Sequence, residues 1–288
     1  MRSFMKQHPL LSYFVLAYGL SWLLWVPLAV VYNGPTEPPE ELLLLLYVGI
    51  YGASAAGIIM TRVVEGKGSV RKLLRRYIDW RVGLRWYVVM FFTMPLLLVA
   101  AMAIYALQGN AIGRFEPGAW PLAFLVAIPA VLFGPLGEEA GWRGFALSRL
   151  QDKYGAFWSS ILLGILHTFW HTPMFWLPGG TPVSGGPVTL VGVASFLSIV
   201  TIGTFVYTWV FNNTRGSMLM AVLLHFSFNT ANDTLFAMFP DLSEAVQYHI
   251  LMELGNIPGW IFVVLLLILF GPARLSRKSA SGEPSPSG

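Results

Sequence analysis

The sequence predicts an all-α fold, a polytopic membrane helix bundle with about eight transmembrane helices and both termini in the cytoplasm. Composition is the first observation behind this prediction. Of 288 residues, 56% are hydrophobic and only 11% are charged, with a mean hydropathy of +0.64, whereas soluble domains have roughly 25% charged residues. The second observation is a series of apolar runs of about 20 residues, the length that crosses the hydrocarbon core. The third is an alternation of lysine and arginine between successive connections.

Eight apolar runs mark the candidate spans. They lie at residues 9–32, 42–61, 86–107, 119–137, 156–178, 189–211, 217–237 and 250–271. The first is longer than the apolar part of a cleavable signal peptide and is not followed by a convincing small-residue cleavage site. We therefore expect it to be a retained helix.

Basic residues alternate along the connections between these spans. The connection from Arg62 to Arg85 contains eight lysines and arginines, whereas the next one contains only Arg114. Arg149 and Lys153 mark the following connection, and GGTPVSGGP after it has no basic residue. Because lysine and arginine accumulate on the cytoplasmic side of short loops, the pattern predicts cytoplasmic termini and a multi-pass protein of the plasma membrane.

Domain organisation follows from the same pattern. Residues 1–275 are expected to form a single transmembrane domain, and the small, polar, proline-containing residues 276–288 a disordered cytoplasmic tail. Residues of about 63–85 form a candidate amphipathic segment on the cytoplasmic interface, because apolar residues recur there at helical spacing among arginines. The apolar residues are Val70, Leu73, Leu74, Tyr77 and Ile78.

Composition also excludes several classes of function. The absence of cysteine removes disulfides, thiolate metal ligands and a cysteine nucleophile. The net charge of +4 does not indicate nucleic-acid binding, because the basic residues lie beside the spans, where they serve topology and anionic lipid headgroups. The expected environment is a lipid bilayer, and any catalysis must use carboxylates, histidines, hydroxyls or a metal.

Three charged residues lie at the end of the fourth apolar run, in GPLGEEAGWRGF. Each charge costs roughly 2.5–3.5 kcal/mol at the centre of a membrane helix, so Glu138, Glu139 and Arg143 are expected to face protein or water. If the helix continues through Leu147, Glu139 and Arg143 form an i, i+4 pair and Glu138 points about 100° away. The alternative is a set of solvated charges at the cytoplasmic end of the span.

Two further spans carry polar side chains at similar depth. His167 and His171 share a helix face in the fifth span, as do His225 and Asn229 in the seventh. At 1.5 Å per residue, Glu138, His171 and His225 lie roughly 15–20 Å from the cytoplasmic helix ends. His167 lies in an aromatic-rich run, and its simpler interpretation is a hydrogen bond to a neighbouring helix.

These side chains suit two kinds of chemistry. A buried glutamate can take a proton from water, a histidine can assist proton transfer, and histidine with asparagine can donate to an oxyanion. The same groups also suit a divalent metal, with nitrogens from His171 and His225 and a glutamate oxygen. The residues do not decide between them, although no helix carries two histidines that bracket a glutamate, which weakens a simple zinc site.

The three motifs together resemble the CPBP family of intramembrane proteases, which includes the type II CAAX prenyl endopeptidases. The resemblance covers roughly residues 120–235. It implies a catalytic set in which Glu138 activates water, Glu139 and Arg143 are its motif partners, His171 is the second-motif histidine, and His225 pairs with Asn229. One departure is His167, which stands where the second motif usually has phenylalanine or tryptophan.

The resemblance implies an intramembrane endopeptidase with a cytoplasm-facing cavity and a peptide or membrane-protein substrate. The favoured mechanism is of the glutamate type and requires no cofactor, while a divalent metal such as zinc stays open. A transporter or channel is the alternative, because buried ionisable residues equally mark proton or ion pathways. A catalytically idle scaffold or immunity protein is a third possibility.

Overall fold

The structure is a computed structural model that describes residues 2–32, 39–129, 134–177, 181–182 and 188–277. Within these ranges the secondary structure is helical and contains no strand, which confirms the all-α prediction. The tail predicted to be disordered lies, from residue 278 onward, outside the described residues. Most of the connection GGTPVSGGP lies outside them as well.

The described residues form twelve α-helices with short 3-10 and π segments between them. The α-helices are α1 (Arg2–Gln7), α2 (Pro9–Val31), α3 (Glu40–Glu65), α4 (Ser69–Arg75), α5 (Leu84–Leu107), α6 (Trp120–Ala127), α7 (Pro135–Gly141), α8 (Ser148–Trp170), α9 (Leu190–Asn213), α10 (Met218–Phe236), α11 (Glu244–Tyr248) and α12 (Asn256–Phe270). The π segments Trp142–Leu147 and His249–Leu254 join α7 to α8 and α11 to α12, and the 3-10 segments are Arg76–Ile78, Pro117–Ala119 and Thr172–Trp176.

Five helical segments of the described chain are long and apolar enough to cross a membrane. They are Pro9–Val31, Leu44–Glu65, Leu84–Leu107, Leu190–Asn213 and Glu244–Phe270. Helices α8 and α10 fall outside this group because polar residues interrupt them, including the histidines and asparagine of the candidate site. The chain is a multi-pass membrane protein, while the number eight and the cytoplasmic location of both termini stay predictions.

The fourth predicted span is divided. Helix α6 ends at Ala127, and a separate helix begins at Pro135 with Gly134 as its N-cap. Proline suits the first turn of a helix because its missing N–H has no intrahelical acceptor there. Glu138 therefore lies in the first turn of α7, where the helix dipole favours a carboxylate.

Glycines let α7 pack closely against α3. A Cβ on Gly57 of α3 would lie 2.7 Å from the carbonyl oxygen of Ala140, and one on Gly137 would lie 2.8 Å from Cγ2 of Ile50. Small residues allow helix backbones to approach in this way inside membranes. The close packing places α7 in the interior of the bundle, between α3 and α10.

The predicted amphipathic segment is a short helix that is partly docked beneath the site. In α4, Leu73 is buried against Ala140 and Met218, whereas Leu74 and Ile78 are exposed. Arg76 donates to the carbonyl of Gly216 at 2.8 Å and anchors the segment to the turn before α10. The segment therefore packs against α7 through Leu73, while Leu74 and Ile78 remain exposed.

Candidate active site

Glu138 lies in the wall of a cavity with its carboxylate held on one side. Its Oε2 accepts a hydrogen bond from Trp142 Nε1 at 3.1 Å and lies 2.7 Å from Nε2 of His167. Only 4% of the residue is exposed, so it is not a solvated helix-end charge. The interpretation as solvated charges is therefore wrong for Glu138, and equally for Glu139 and Arg143, which are buried.

Glu139 is occupied by two partners. Its Oε1 accepts from Arg143 Nη1 at 2.9 Å and lies 2.6 Å from His225 Nδ1. The guanidinium of Arg143 also stacks over Tyr207, 3.6 Å from the ring centroid. An ionised carboxylate can only accept, so His225 Nδ1 carries a proton and Nε2 is the nitrogen left for other contacts. The predicted pairing of Glu139 with Arg143, and the separation of Glu138 from it, are both present.

The cavity has a volume of about 550 Å³. The polar part of its wall includes Glu138, Arg143, His167, His171, Tyr207, His225 and Asn229. Five of the six predicted catalytic residues thus face one space, and the sixth, Glu139, lies behind it with no exposed surface. Apolar side chains such as Met94, Phe196 and Phe228 form much of the remaining wall.

Gly134 marks the point where the polar groups converge. A Cβ on this residue would lie 2.9 Å from Asn229 Nδ2, 3.8 Å from His225 Nε2 and 3.9 Å from Glu138 Oε1. Three polar atoms from α7 and α10 therefore surround a space that glycine leaves free. A reacting group of a bound molecule can be placed there within reach of a carboxylate and two nitrogen atoms.

Sequence reasoning underestimated His167. It does bond a neighbouring helix, as expected, but the partner is Glu138 itself. Its backbone carbonyl also accepts a hydrogen bond from Nδ1 of His171 at 2.9 Å, which orients the His171 ring. The same ring makes an edge-to-face contact with Phe196. The available signal was the spacing in HTFWH, because residues four apart on a helix point the same way. Trp142 and Tyr207, which hold Glu138 and Arg143, had no sequence signal of their own.

Three potential metal ligands lie close together, of which Glu138 and His171 belong to the expected set and His167 does not. Ligand atoms of Glu138, His167 and His171 all lie within 4.8 Å of one another. Nδ1 of His225 is engaged with Glu139, so this residue could offer a ligand only through Nε2. The donor set of two imidazoles and one carboxylate suits zinc and related ions.

Part of the cavity wall comes from the connection between α8 and α9. Thr181 and Pro182 contribute to the wall, and they belong to the connection that the charge pattern assigns to the outside. The predicted cytoplasmic opening and this part of the lining therefore point to opposite sides of the membrane. The opening toward the cytoplasm stays a prediction.

The helical fold and the buried carboxylate and histidine cluster define a class, that of multi-pass membrane proteins with a polar site inside the bundle. The chain matches the family described as "Rce1-like: Type II CAAX prenyl endopeptidase Rce1-like" over residues 119–231, which include all six predicted catalytic residues. It is also 28% identical over 239 residues to CAAX prenyl protease 2 of Methanococcus maripaludis, covering 80% of this chain and 86% of that protein.

The resemblance to the CPBP family is confirmed by these two matches. Both matches are to proteins described as CAAX prenyl proteases or endopeptidases, and they do not favour the transporter or channel alternative.

Proposed function

We propose that this chain hydrolyses peptide bonds within the membrane with a water molecule activated by Glu138. The observation that carries the proposal is that the two adjacent glutamates lie in different environments. Glu139 is fully buried and bonded to Arg143 and His225, whereas Glu138 lines the cavity with Oε1 on the side of Gly134. The carboxylate that faces the cavity is the one available to take a proton.

The surroundings of Glu138 favour the role of a positioned base. Hydrogen bonds from Trp142 and His167 to Oε2 fix the orientation of the carboxylate. A water placed near Oε1 can transfer its proton to the carboxylate as its oxygen attacks the scissile carbonyl. The apolar cavity wall limits competing hydrogen bonds from bulk water, which strengthens electrostatic interactions at this point.

His171 is proposed to handle the proton of the leaving amine. Its Nδ1 donates to a backbone carbonyl, which can only accept, so its Nε2 carries the lone pair. The ring lies beside His167, with ring centroids 4.9 Å apart. A proton taken up near Glu138 can be passed through this pair of imidazoles to the leaving group.

His225 and Asn229 are proposed to stabilise the oxyanion of the tetrahedral intermediate. Asn229 offers its Nδ2 donor next to Gly134. Because Nδ1–H of His225 is given to Glu139, Nε2 can donate only when the imidazole is a cation. Glu139 accepts from Arg143 and holds the His225 ring at Nδ1. Glu139 and Arg143 therefore act as positioning residues.

No metal is required for these steps, and the proposed location is the plasma membrane with the cavity open to the cytoplasm. The experiment uses purified protein and fluorogenic peptides with and without a prenylated cysteine near the C-terminus, since the archaeal relative is named a CAAX prenyl protease. We expect cleavage that persists in the presence of a chelator. Absence of cleavage of every peptide, together with Glu138-dependent ion flux into proteoliposomes, would favour the transporter.

A further inference from the structure

Three potential metal ligands meet where α7 faces α8. The carboxylate of Glu138 and the imidazoles of His167 and His171 each offer one ligand atom within 4.8 Å of the other two. Two imidazole nitrogens and one carboxylate oxygen form the donor set of zinc sites that keep a coordination position open. We propose that this chain binds one divalent transition metal, of the zinc type, at Glu138, His167 and His171.

The outer contacts that a metal site needs are already present. Histidine ligands almost always donate their second ring N–H to a carbonyl or carboxylate, and ligating carboxylates accept further hydrogen bonds. His171 donates Nδ1–H to the carbonyl of His167 at 2.9 Å, which directs its Nε2 lone pair away from that carbonyl. Glu138 Oε2 accepts from Trp142 Nε1 at 3.1 Å. Both ligands are therefore oriented before an ion binds.

The ion would replace the proton that His167 shares with Glu138. The two side chains are 2.7 Å apart at Nε2 and Oε2, and ligand atoms around a tetrahedral zinc lie about 3.4 Å apart, given bonds of about 2.0–2.1 Å. The contact has to open by less than about 1 Å, and the proton on Nε2 moves to Nδ1 so that a lone pair faces the ion. The net charge of −1 on Glu138, Glu139 and Arg143 favours a cation here.

The third ligand, His167, is specific to this chain, because the second motif usually has phenylalanine or tryptophan at this position. A phenylalanine or tryptophan at this position would leave Glu138 and His171 as only two of the three ligands. Occupancy also has a consequence that rests on the proposed function. A carboxylate that ligates the ion is withdrawn from its role as a base, so the bound metal inhibits hydrolysis.

A cobalt titration of the purified, tag-free full-length protein in detergent tests the site without any measurement of activity. Tetrahedral Co²⁺ absorbs visible light, and we expect saturation at one ion per chain, with displacement by Zn²⁺. His167→Phe and His167→Gln should weaken binding by more than the roughly 10- to 100-fold loss that follows removal of an outer contact. The glutamine variant keeps a donor for Glu138 in case phenylalanine disturbs folding.

His225→Gln is the matched control, because it alters another histidine of the same cavity and should bind Co²⁺ like the wild type. Equal binding by the wild type and both His167 variants, or loss of binding in His225→Gln, would overturn the site. Zinc that binds without reducing hydrolysis would overturn the inhibitory role. Hydrolysis by Glu138→Gln would overturn only the proposed base, since the cobalt titration decides the metal site independently.

Discussion

His225 Nδ1 lies 2.6 Å from Glu139 Oε1, which joins α10 to α7 across 86 residues of sequence. The same oxygen accepts from Arg143, so one buried carboxylate compensates a guanidinium and orients an imidazole. This atom directly links the third motif to the first, in addition to the packing of α10 against α7.

Glu139→Gln is expected to destabilise the protein, because it leaves Arg143 buried without a counter-charge. Breaking a buried pair by removing one partner costs about 3–5 kcal/mol. The measurement is thermal unfolding of purified protein in detergent. Glu65→Gln is the control, since it removes the partner of Arg149 from a half-exposed pair, where the expected cost is about 0–1 kcal/mol. Equal shifts in the two variants would contradict the assigned role of Glu139.

Leu73→Ala is expected to loosen the support of α7 by α4. Leu73 is 5% exposed and packs on Ala140 and Met218, whereas its neighbour Leu74 is 44% exposed. A buried leucine replaced by alanine costs about 2–5 kcal/mol. Leu74→Ala is the matched control, and its unfolding temperature should stay close to that of the wild type. The packing is misassigned if the two substitutions have the same effect.

Gly134→Ala is expected to reduce hydrolysis strongly while leaving the protein folded. The added methyl group would lie 2.9 Å from Asn229 Nδ2 and occupy the space between that amide, His225 and Glu138. The measurements are peptide cleavage and the unfolding temperature of the same preparation. Gly19→Ala is the control, because a Cβ on Gly19 meets nothing within 4 Å. Wild-type cleavage by Gly134→Ala would contradict a reacting group at this point.

The absence of cysteine makes topology directly testable, because any introduced cysteine is the only thiol. The charge pattern predicts that Thr181→Cys in intact cells reacts with a membrane-impermeant maleimide, whereas Lys153→Cys reacts only after the cells are permeabilised. Wild-type protein is the unlabelled control. The reverse pattern would place Thr181, and the part of the cavity wall that it forms, on the cytoplasmic side.

Local periodicity allowed part of the site to be predicted. The i, i+4 spacing gave the Glu139–Arg143 pair and the different direction of Glu138, because the helical period is fixed. Matching depth brought the spans with His171 and His225 into the same site. The start of a new helix at Pro135 could have been predicted, because a Gly-Pro pair within an apolar run often marks a turn or the beginning of a helix.

The direction of α8 could not be predicted by the same reasoning. It depends on the π segment Trp142–Leu147 and on the kink at Gly155, which has a φ of 71°. Neither is a simple period in the sequence, and both lie between Glu138 and HTFWH. The contact between His167 and Glu138 therefore depends on tertiary structure, whereas the position of two histidines on one helix face follows from local sequence spacing.

Hydrolysis by Glu138→Gln tests the central claim most directly. Glutamine keeps the shape of the side chain but cannot take a proton from water, so we expect cleavage of the fluorogenic peptides to be lost. The unfolding temperature should change less than in Glu139→Gln. The hydrogen-bond partners of Glu138 are Trp142 and His167, so the substitution does not remove the carboxylate that is paired with Arg143. Cleavage at the wild-type rate by folded Glu138→Gln would contradict the claim that this carboxylate activates the water.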